Sequence, residues 1–472
     1  MIETQEAVSE FGMVGLGVMG RNLLLNIAEH GRSVSGYDLG QDKVDALHSE
    51  AGGKPARGFT DLQAFVKSLK TPRCITMLVP AGDPVDQVIA SFKPYLEPGD
   101  LLIDSGNSYY KDTDRRIEEL AKTGIGFFGM GISGGESGAR HGPSMMAGGS
   151  PEDYEKVRVP LELVAAKAED GTPCVAHVGT GSAGHYVKMV HNGIEYGIMQ
   201  LLGETYDLMH RGWGMSNAEI ASTMDEWATS DLGGFLVEIT AEVLKKKDDI
   251  TGNDLVDMVK DEAKQKGTGK WTSQDAMDLR VPVPTIDAAV SARDMSDLKD
   301  ERVIASKILQ TQAGQPSKDL GLLRDALYVS MVASYAQGMC QLRAASTANK
   351  YGVKMAEVAS IWRAGCIIRS ALLKPIHQAF TENADLANLL IAPNLHNTVL
   401  QRLNSLRGLI TQAINIHIPV PCYMASLAYI DGYASERLPA NLTQSQRDYF
   451  GAHTYARIDK PGVFHTEWAE AK

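Results

Sequence analysis

The chain has 472 residues, 44% of them hydrophobic and 22% charged, which exceeds one ordinary core and predicts a globular protein of two or three domains. A formal net charge of −12 argues against general nucleic-acid binding, while leaving room for local basic pockets that take a phosphorylated small molecule. No apolar run approaches the roughly 18–20 residues that span a membrane, the start MIETQEAVSE lacks signal-peptide character, and five scattered cysteines without a CxxC read as reduced thiols of a cytoplasmic protein.

Short apolar runs occur at FGMV (11–14), SVSGY (33–37), CITMLV (74–79), LLID (101–104) and IGFFGM (125–130). They alternate with helix-like segments such as RNLLLNIAEH, which stops at Gly31. This alternation predicts a parallel, doubly wound α/β domain over residues 1–180. GLGVMG, Gly15 to Gly20, follows the first strand and opens a helix, as a dinucleotide fingerprint requires. Gly15 permits the tight turn, Gly17 admits the pyrophosphate, and Gly20 lets helix and strand pack closely. Leu16, Val18 and Met19 complete the loop, and the helix N-terminus receives the negative charge. Asp38 ends the second strand. Its carboxylate suits ribose hydroxyls and repels a 2′-phosphate, unless it merely begins a turn. The following Leu39-Gly40-Gln41-Asp42 supplies no Arg, so NAD is expected over NADP.

Two later stretches combine glycine with polar side chains. IDSGNS (103–108) contains Asn107. GISGGESGARHGPSMMAGG (131–149) contains Ser133-Gly134-Gly135, whose N–H groups suit an anion.

From about residue 181 helical patterns dominate, to about residue 435. AEIAS (218–222) and AEVAS (356–360) resemble each other, as an internal duplication or chance similarity between helices would produce. In KMVHNGIEY, Lys188, His191, Asn192, Glu195 and Tyr196 fall within an arc of roughly 140° on a helix. That arc is either a solvated face or a reaction surface. Lys188 could act as base if burial and neighbouring cations lower its pKa. Glu195 lies two turns along the same face, about 10 Å away. KQKGTGKWT (264–272) is basic but does not fit a P-loop, and a solvated loop is its plain reading. No metal constellation is evident, HNGIE is not HExxH, and there is no nucleophile-elbow GxSxG, Ser133 sitting in the wrong context for one. The chemistry is therefore expected from a nicotinamide cofactor, with side chains moving protons. Residues 436–472 are polar, aromatic and poor in aliphatics, like a tail that packs on another surface or, as the plain alternative, a loose C-terminus.

GLGVMGRNL, IDSGNS, GISGGESGARHGPSMMAGG, GHYVKMVHNGIEYG, QKGTGKWT, the Arg293 region with SDLKDER, CIIRS and QRDYFGAHTY occur in this order from about residue 11 to 468. Together they resemble the decarboxylating 6-phosphogluconate dehydrogenases. The resemblance implies a Rossmann-type domain, a large all-α domain for substrate and dimerisation, and a C-terminal tail reaching into the partner of a homodimer. It implies oxidation of 6-phosphogluconate at C3, loss of CO₂ and tautomerisation to ribulose 5-phosphate, the oxidative pentose phosphate reaction, without a metal. By the same resemblance Lys188 is the base and Glu195 the acid. Ser133, Gly134, Gly135, His191 and Asn192 position the substrate. Tyr196, Lys266, Thr268 and Arg293 bind its phosphate, and Arg447 and His453 come from the partner. Asn107 and Glu136 lie near the nicotinamide, with Val79, Pro80 and Ala81 also on the cofactor side. Two departures bear on the cofactor. Many members carry Asn-Arg-Thr where Asp38-Leu39-Gly40 stands, and Val-Lys-Ala-Gly where Val79-Pro80-Ala81-Gly82 stands. Both remove positive charge and strengthen the expectation of NAD, with NADP as the alternative.

Overall fold

Strands without a polar face must be covered on both sides. Phe11–Val14 (β1), Cys74–Met77 (β4) and Leu101–Asp104 (β5) are such strands, and every residue in them is buried. The structure, a computed structural model, describes residues 8–468. The remaining strands are Val34–Tyr37 (β2), Ala56–Phe59 (β3), Gly126–Ser133 (β6), Ser144–Ala147 (β7) and Val175–His177 (β8). They form one sheet in the order β3-β2-β1-β4-β5-β6-β7-β8. The pairs from β3 through β6 are parallel, a Rossmann-type arrangement with the glycine turn at the end of its first strand.

The sheet is not parallel throughout. β6 and β7 run antiparallel, pairing Met130 with Ala147 and Ser133 with Ser144. β3, β7 and β8 carry no clear strand signal. β3 is the half-buried edge sequence ARGF, β7 lies inside the glycine-rich stretch, and β8 has three residues. β6 extends three residues past the apolar run IGFFGM, because its partner β7 continues the ladder to Ser133.

After β8 the described chain is helical. The 25-residue helix Ala183–Asp207 packs against β6 and the 29-residue helix Leu320–Ala348. Each long helix is followed by a left-handed glycine, Gly214 (φ 68°) or Gly352 (φ 71°). A shorter helix follows each, Asn217–Ala228 with AEIAS or Met355–Ile361 with AEVAS. The two related segments thus occupy matching places after matching turns.

Glu204, buried near the end of the 183–207 helix, accepts the backbone N–H groups of Cys422 (3.0 Å) and Tyr423 (3.2 Å). It thereby satisfies the first turn of the helix Pro421–Tyr433. Burial pushes its pKa up to about 7 from an ordinary 4.5. The native state then holds a proton that the unfolded chain releases between these values. Its stabilising effect is full below about pH 4.5 and is lost as pH rises to about 7. Glu204→Gln is expected to flatten that part of the stability–pH curve, measured by thermal unfolding at stepped pH. An unchanged slope would contradict the assignment.

The chain divides into two compact units, Met1–Ser426 and Leu427–Lys472. Within the second, the helix Ala440–Gly451 and the bridge between Tyr455 and Phe464 are organised by Asp448. Its carboxylate accepts from Thr454 N, Thr466 N, His465 Nδ1 and Trp468 Nε1 at 2.8–3.1 Å.

Candidate active site

The glycine turn is shaped for a dinucleotide. Gly15 sits at φ 90°, and a Cβ there would lie 2.5 Å from the Leu78 carbonyl oxygen. A Cβ on Gly17 would meet nothing, so the cradle is open where a pyrophosphate must approach. The helix Val18–Glu29 starts there with no side-chain cap and no acidic residue in its first turn. Its N–H groups and dipole are available to an anion. Leu16 points into the core and donates its backbone N–H to Asp38 Oδ2 at 2.8 Å. The other Asp38 oxygen accepts Gly40 N at 2.9 Å. Val18 is exposed and Met19 packs against the core. A cavity of about 430 Å³ adjoins the turn, lined in part by Gly15, Asp38, Leu39, Lys43, Val79 and Pro80. Among the described residues its only lining cation is Lys43, 3.4 Å from Asp38. Ala81, Asn107 and Glu136 are exposed, in the turn after β4, the turn after β5 and the first turn of the helix Gly135–His141.

The 183–207 helix meets the sheet through glycines. A side chain at Gly131 of β6 would collide with Cβ of Lys188. This close approach buries the polar face instead of wetting it: Lys188, His191, Asn192 and Tyr196 are all buried. His191 is the hub. Its Nδ1 lies 3.4 Å from Lys188 Nζ, 3.0 Å from Asn192 Oδ1 and 3.8 Å from Glu195 Oε2. Its Nε2 lies 3.1 Å from Ser133 Oγ and 2.9 Å from Cys366 Sγ. Ser133 Oγ also accepts Ile367 N at 3.0 Å. Gly134, at φ 125°, turns β6 into the helix that Gly135 begins. CIIRS contributes to the family resemblance, but no local pattern marks Cys366 as a member of this cluster.

Burial lowers the pKa of Lys188, against the attraction of Glu195 and Cys366. The expected neighbouring cations play no part: the charged neighbour is an acid, and desolvation alone favours the neutral amine. Burial, then Lys188, pushes the His191 pKa well down and keeps the imidazole neutral. Burial raises the Glu195 pKa, opposed by Lys188 and Arg293. The Glu195 side chain keeps 21% of its surface in solvent, so this effect is partial. One helix face therefore carries a lysine shifted toward its base form and a glutamic acid shifted toward its acid form, the pairing that proton transfers near neutral pH need.

KQKGTGKWT is loop only as far as Gly267, after which Thr268–Asp278 is helix. Thr268 Oγ1 accepts from Asn192 Nδ2 at 3.1 Å. Lys266 is exposed in the preceding loop. Arg293, in the helix Pro284–Asp297, lies over the Tyr196 ring with its guanidinium carbon 3.5 Å from the centroid. Asp275, on the Thr268–Asp278 helix, accepts the hydroxyls of Tyr110 and Tyr186. It ties that helix to the Rossmann-type domain and to the base of the 183–207 helix. Arg447 and His453 are exposed in the second unit, with Arg447 bonded to Gln444 and the His453 ring edge-on to Phe450.

A Rossmann-type sheet, an open glycine turn and a buried Lys–His pair beside a partly exposed Glu define a nicotinamide-dependent dehydrogenase. A family model for the NAD binding domain of 6-phosphogluconate dehydrogenase matches residues 10–179, and one for the C-terminal domain of 6-phosphogluconate dehydrogenase matches residues 184–468. The decarboxylating 6-phosphogluconate dehydrogenase of Salmonella typhimurium is 49% identical over 98% of this chain and 99% of its own. The NADP(+)-dependent, decarboxylating 6-phosphogluconate dehydrogenase of Bacillus subtilis is 48% identical over 97% and 99%. The Plasmodium falciparum 6-phosphogluconate dehydrogenase, solved in its apo form, with its cofactor NADP+ and with its substrate 6-phosphogluconate, superposes with a TM-score of 0.94. It is 39% identical and covers 97% of this chain and 100% of its own. The chain belongs to the 6-phosphogluconate dehydrogenase family.

Proposed function

We propose that this chain oxidises and decarboxylates 6-phosphogluconate to ribulose 5-phosphate and CO₂. The observation that carries the reading is the buried face on which Lys188 and Glu195 flank His191. Lys188, as the neutral amine, takes the proton of the C3 hydroxyl. The nicotinamide supplies the acceptor for the C3 hydride. Lys188 then returns its proton to the C3 oxygen as the C1–C2 bond breaks. The bonding pair becomes part of an enediol and the carboxylate leaves as CO₂. Glu195 protonates the carbon that CO₂ left, which is C1 of the product. His191, Asn192, Ser133, Gly134 and Gly135 hold the carboxylate and hydroxyls. Tyr196, Lys266, Thr268 and Arg293 take the phosphate, for which the fork of Arg is well suited. No step needs a metal, because the β-keto acid accepts the electrons in its own carbonyl.

The same reading favours NAD, although the Bacillus subtilis relative is NADP(+)-dependent and the Plasmodium falciparum enzyme binds NADP+. It rests on Asp38 at the cavity, on Leu39, 84% exposed where relatives of the sequence pattern place Arg, and on Pro80 in place of Lys. It also includes a cytoplasmic homodimer, in which Arg447 and His453 enter the partner's site. The exposed Tyr449, Phe450, Ile458 and Val463 of the second unit support that docking role.

The test is an assay of 6-phosphogluconate that records CO₂ and reduced nicotinamide together. Equal amounts are expected. Reduced nicotinamide without CO₂ would instead indicate a β-hydroxyacid dehydrogenase that does not decarboxylate.

A further inference from the structure

His191 sits between two sets of partners with opposite demands. On the Nδ1 side stand an acceptor, Asn192 Oδ1, and Lys188. The amide of Asn192 is oriented by its own donation to Thr268 Oγ1. On the Nε2 side stand a hydroxyl, Ser133, and a thiol, Cys366, each able to donate. Ser133 Oγ already accepts Ile367 N, so its hydrogen is free to point at the ring. Cys366 Sγ lies 2.9 Å from Nε2 and is buried. Burial pushes its thiol up to about 11, so it keeps its hydrogen at working pH. The other neighbours of the ring are Glu195 Oε2 at 3.8 Å and the edge-on Trp362 ring at 5.6 Å. Ser133 Oγ and Cys366 Sγ can each donate or accept, but Asn192 Oδ1 at Nδ1 can only accept, so it draws the ring proton to Nδ1 and leaves Nε2 to receive a donor.

A neutral imidazole has one N–H and one lone pair. The surroundings ask for the proton on Nδ1 and the lone pair on Nε2. With that tautomer, Nδ1–H donates toward the amine of Lys188 and repels the ammonium. With the other tautomer the Nδ1 lone pair would accept from the ammonium and hold Lys188 in its inactive acid form.

We propose that Cys366 is a positioning residue for the base: its thiol donates to Nε2 of His191 and keeps the ring proton on Nδ1, facing Lys188. This rests on Lys188 being the base. Ser133 can share the task in the free enzyme. On the reading above its hydroxyl turns to the substrate carboxylate in the complex, and Cys366 is then the donor left to the ring. The dependence on Cys366 is therefore greater with substrate bound.

The test compares Cys366→Ala, which removes the donor, with Cys366→Ser, which restores one. Nitrogen-15 spectra of histidine-labelled protein saturated with 6-phosphogluconate and without nicotinamide, with the His191 signals identified by their loss in His191→Gln, report the tautomer in the substrate complex without turnover. Wild type and Cys366→Ser should show a protonated Nδ1, and Cys366→Ala a mixture. In pH profiles the acid limb of kcat, which reports the substrate complex, should move up by about 0.5–1 pH unit in Cys366→Ala. The limb of kcat/KM, which reports the free enzyme, should move less, and Cys366→Ser should restore both. An unaltered His191 tautomer in Cys366→Ala, or equal shifts in the Ala and Ser variants, overturns the proposal. Full turnover in Lys188→Met would overturn the base reading itself, which the tautomer spectra do not depend on.

Discussion

Replacing Lys188 by Met is expected to lower kcat by about 10²–10⁴-fold, the range that general acid–base catalysis supplies. Binding of NAD, measured by fluorescence or calorimetry, should stay within about twofold of wild type, because the glycine turn and the Asp38 cavity lie on other elements. Met nearly matches the apolar stem of Lys, so the contact with Gly131 and the burial of the helix face are retained. What is lost is the nitrogen 3.4 Å from His191 Nδ1. The pH dependence has a definite sign. Burial lowers the Lys188 pKa, so the active amine is populated at lower pH than for an exposed lysine, and activity rises with pH through that lowered value. Turnover that survives the substitution would remove Lys188 as the base.

The second large effect concerns the cofactor. Wild type is expected to give a higher kcat/KM with NAD than with NADP, by at least about tenfold. A carboxylate about 4 Å from a phosphate charge costs on the order of 4 kcal/mol at an effective dielectric of about 20. Lys43, 3.4 Å from Asp38 Oδ1, offsets part of that cost. The double change Asp38→Asn with Leu39→Arg should reverse the preference, through loss of the negative charge and gain of a fork for the 2′-phosphate. Asn keeps one acceptor for the two backbone N–H groups that Asp38 now holds, Leu16 and Gly40. Leu39 is 84% exposed, so Arg enters without repacking. Wild-type kinetics favouring NADP would contradict the reading, and would leave Asp38 as a clamp on the glycine turn.

The sequence made parts of this architecture visible where the physics is local. Largely apolar strands such as FGMV and LLID, and the glycine turn after β1, show themselves in a few residues. β3 and β8 do not, because ARGF and VAH become strands only through the ladder of a neighbour. The antiparallel β7 was hidden for a related reason: SMMA sits among glycines whose small size serves close packing as well as turns. The polar arc of the 183–207 helix was visible from spacing, but its burial was not. That burial comes from Gly131 and Gly184, which let sheet and helix meet. Cys366, more than 170 positions from its partner His191, offered no spacing signal at all. Nothing in the local sequence sets Glu204 apart from other helix glutamates; its role comes from the start of the 421–433 helix, far along the chain. Where a residue's role depends on a partner distant in the chain, the local pattern carries no trace of it.

In the function proposed above, one helix face holds a base and an acid for separate proton transfers. The most direct measurement is turnover of 6-phosphogluconate in D₂O, with the ribulose 5-phosphate analysed by NMR in wild type and Glu195→Gln. Wild type is expected to place deuterium at C1 in a single stereochemical position, delivered by Glu195. In Glu195→Gln, turnover should fall by about 10²-fold, and the deuterium should spread over both C1 positions as solvent takes over. A variant with wild-type rate and the same single position of label would contradict the claim.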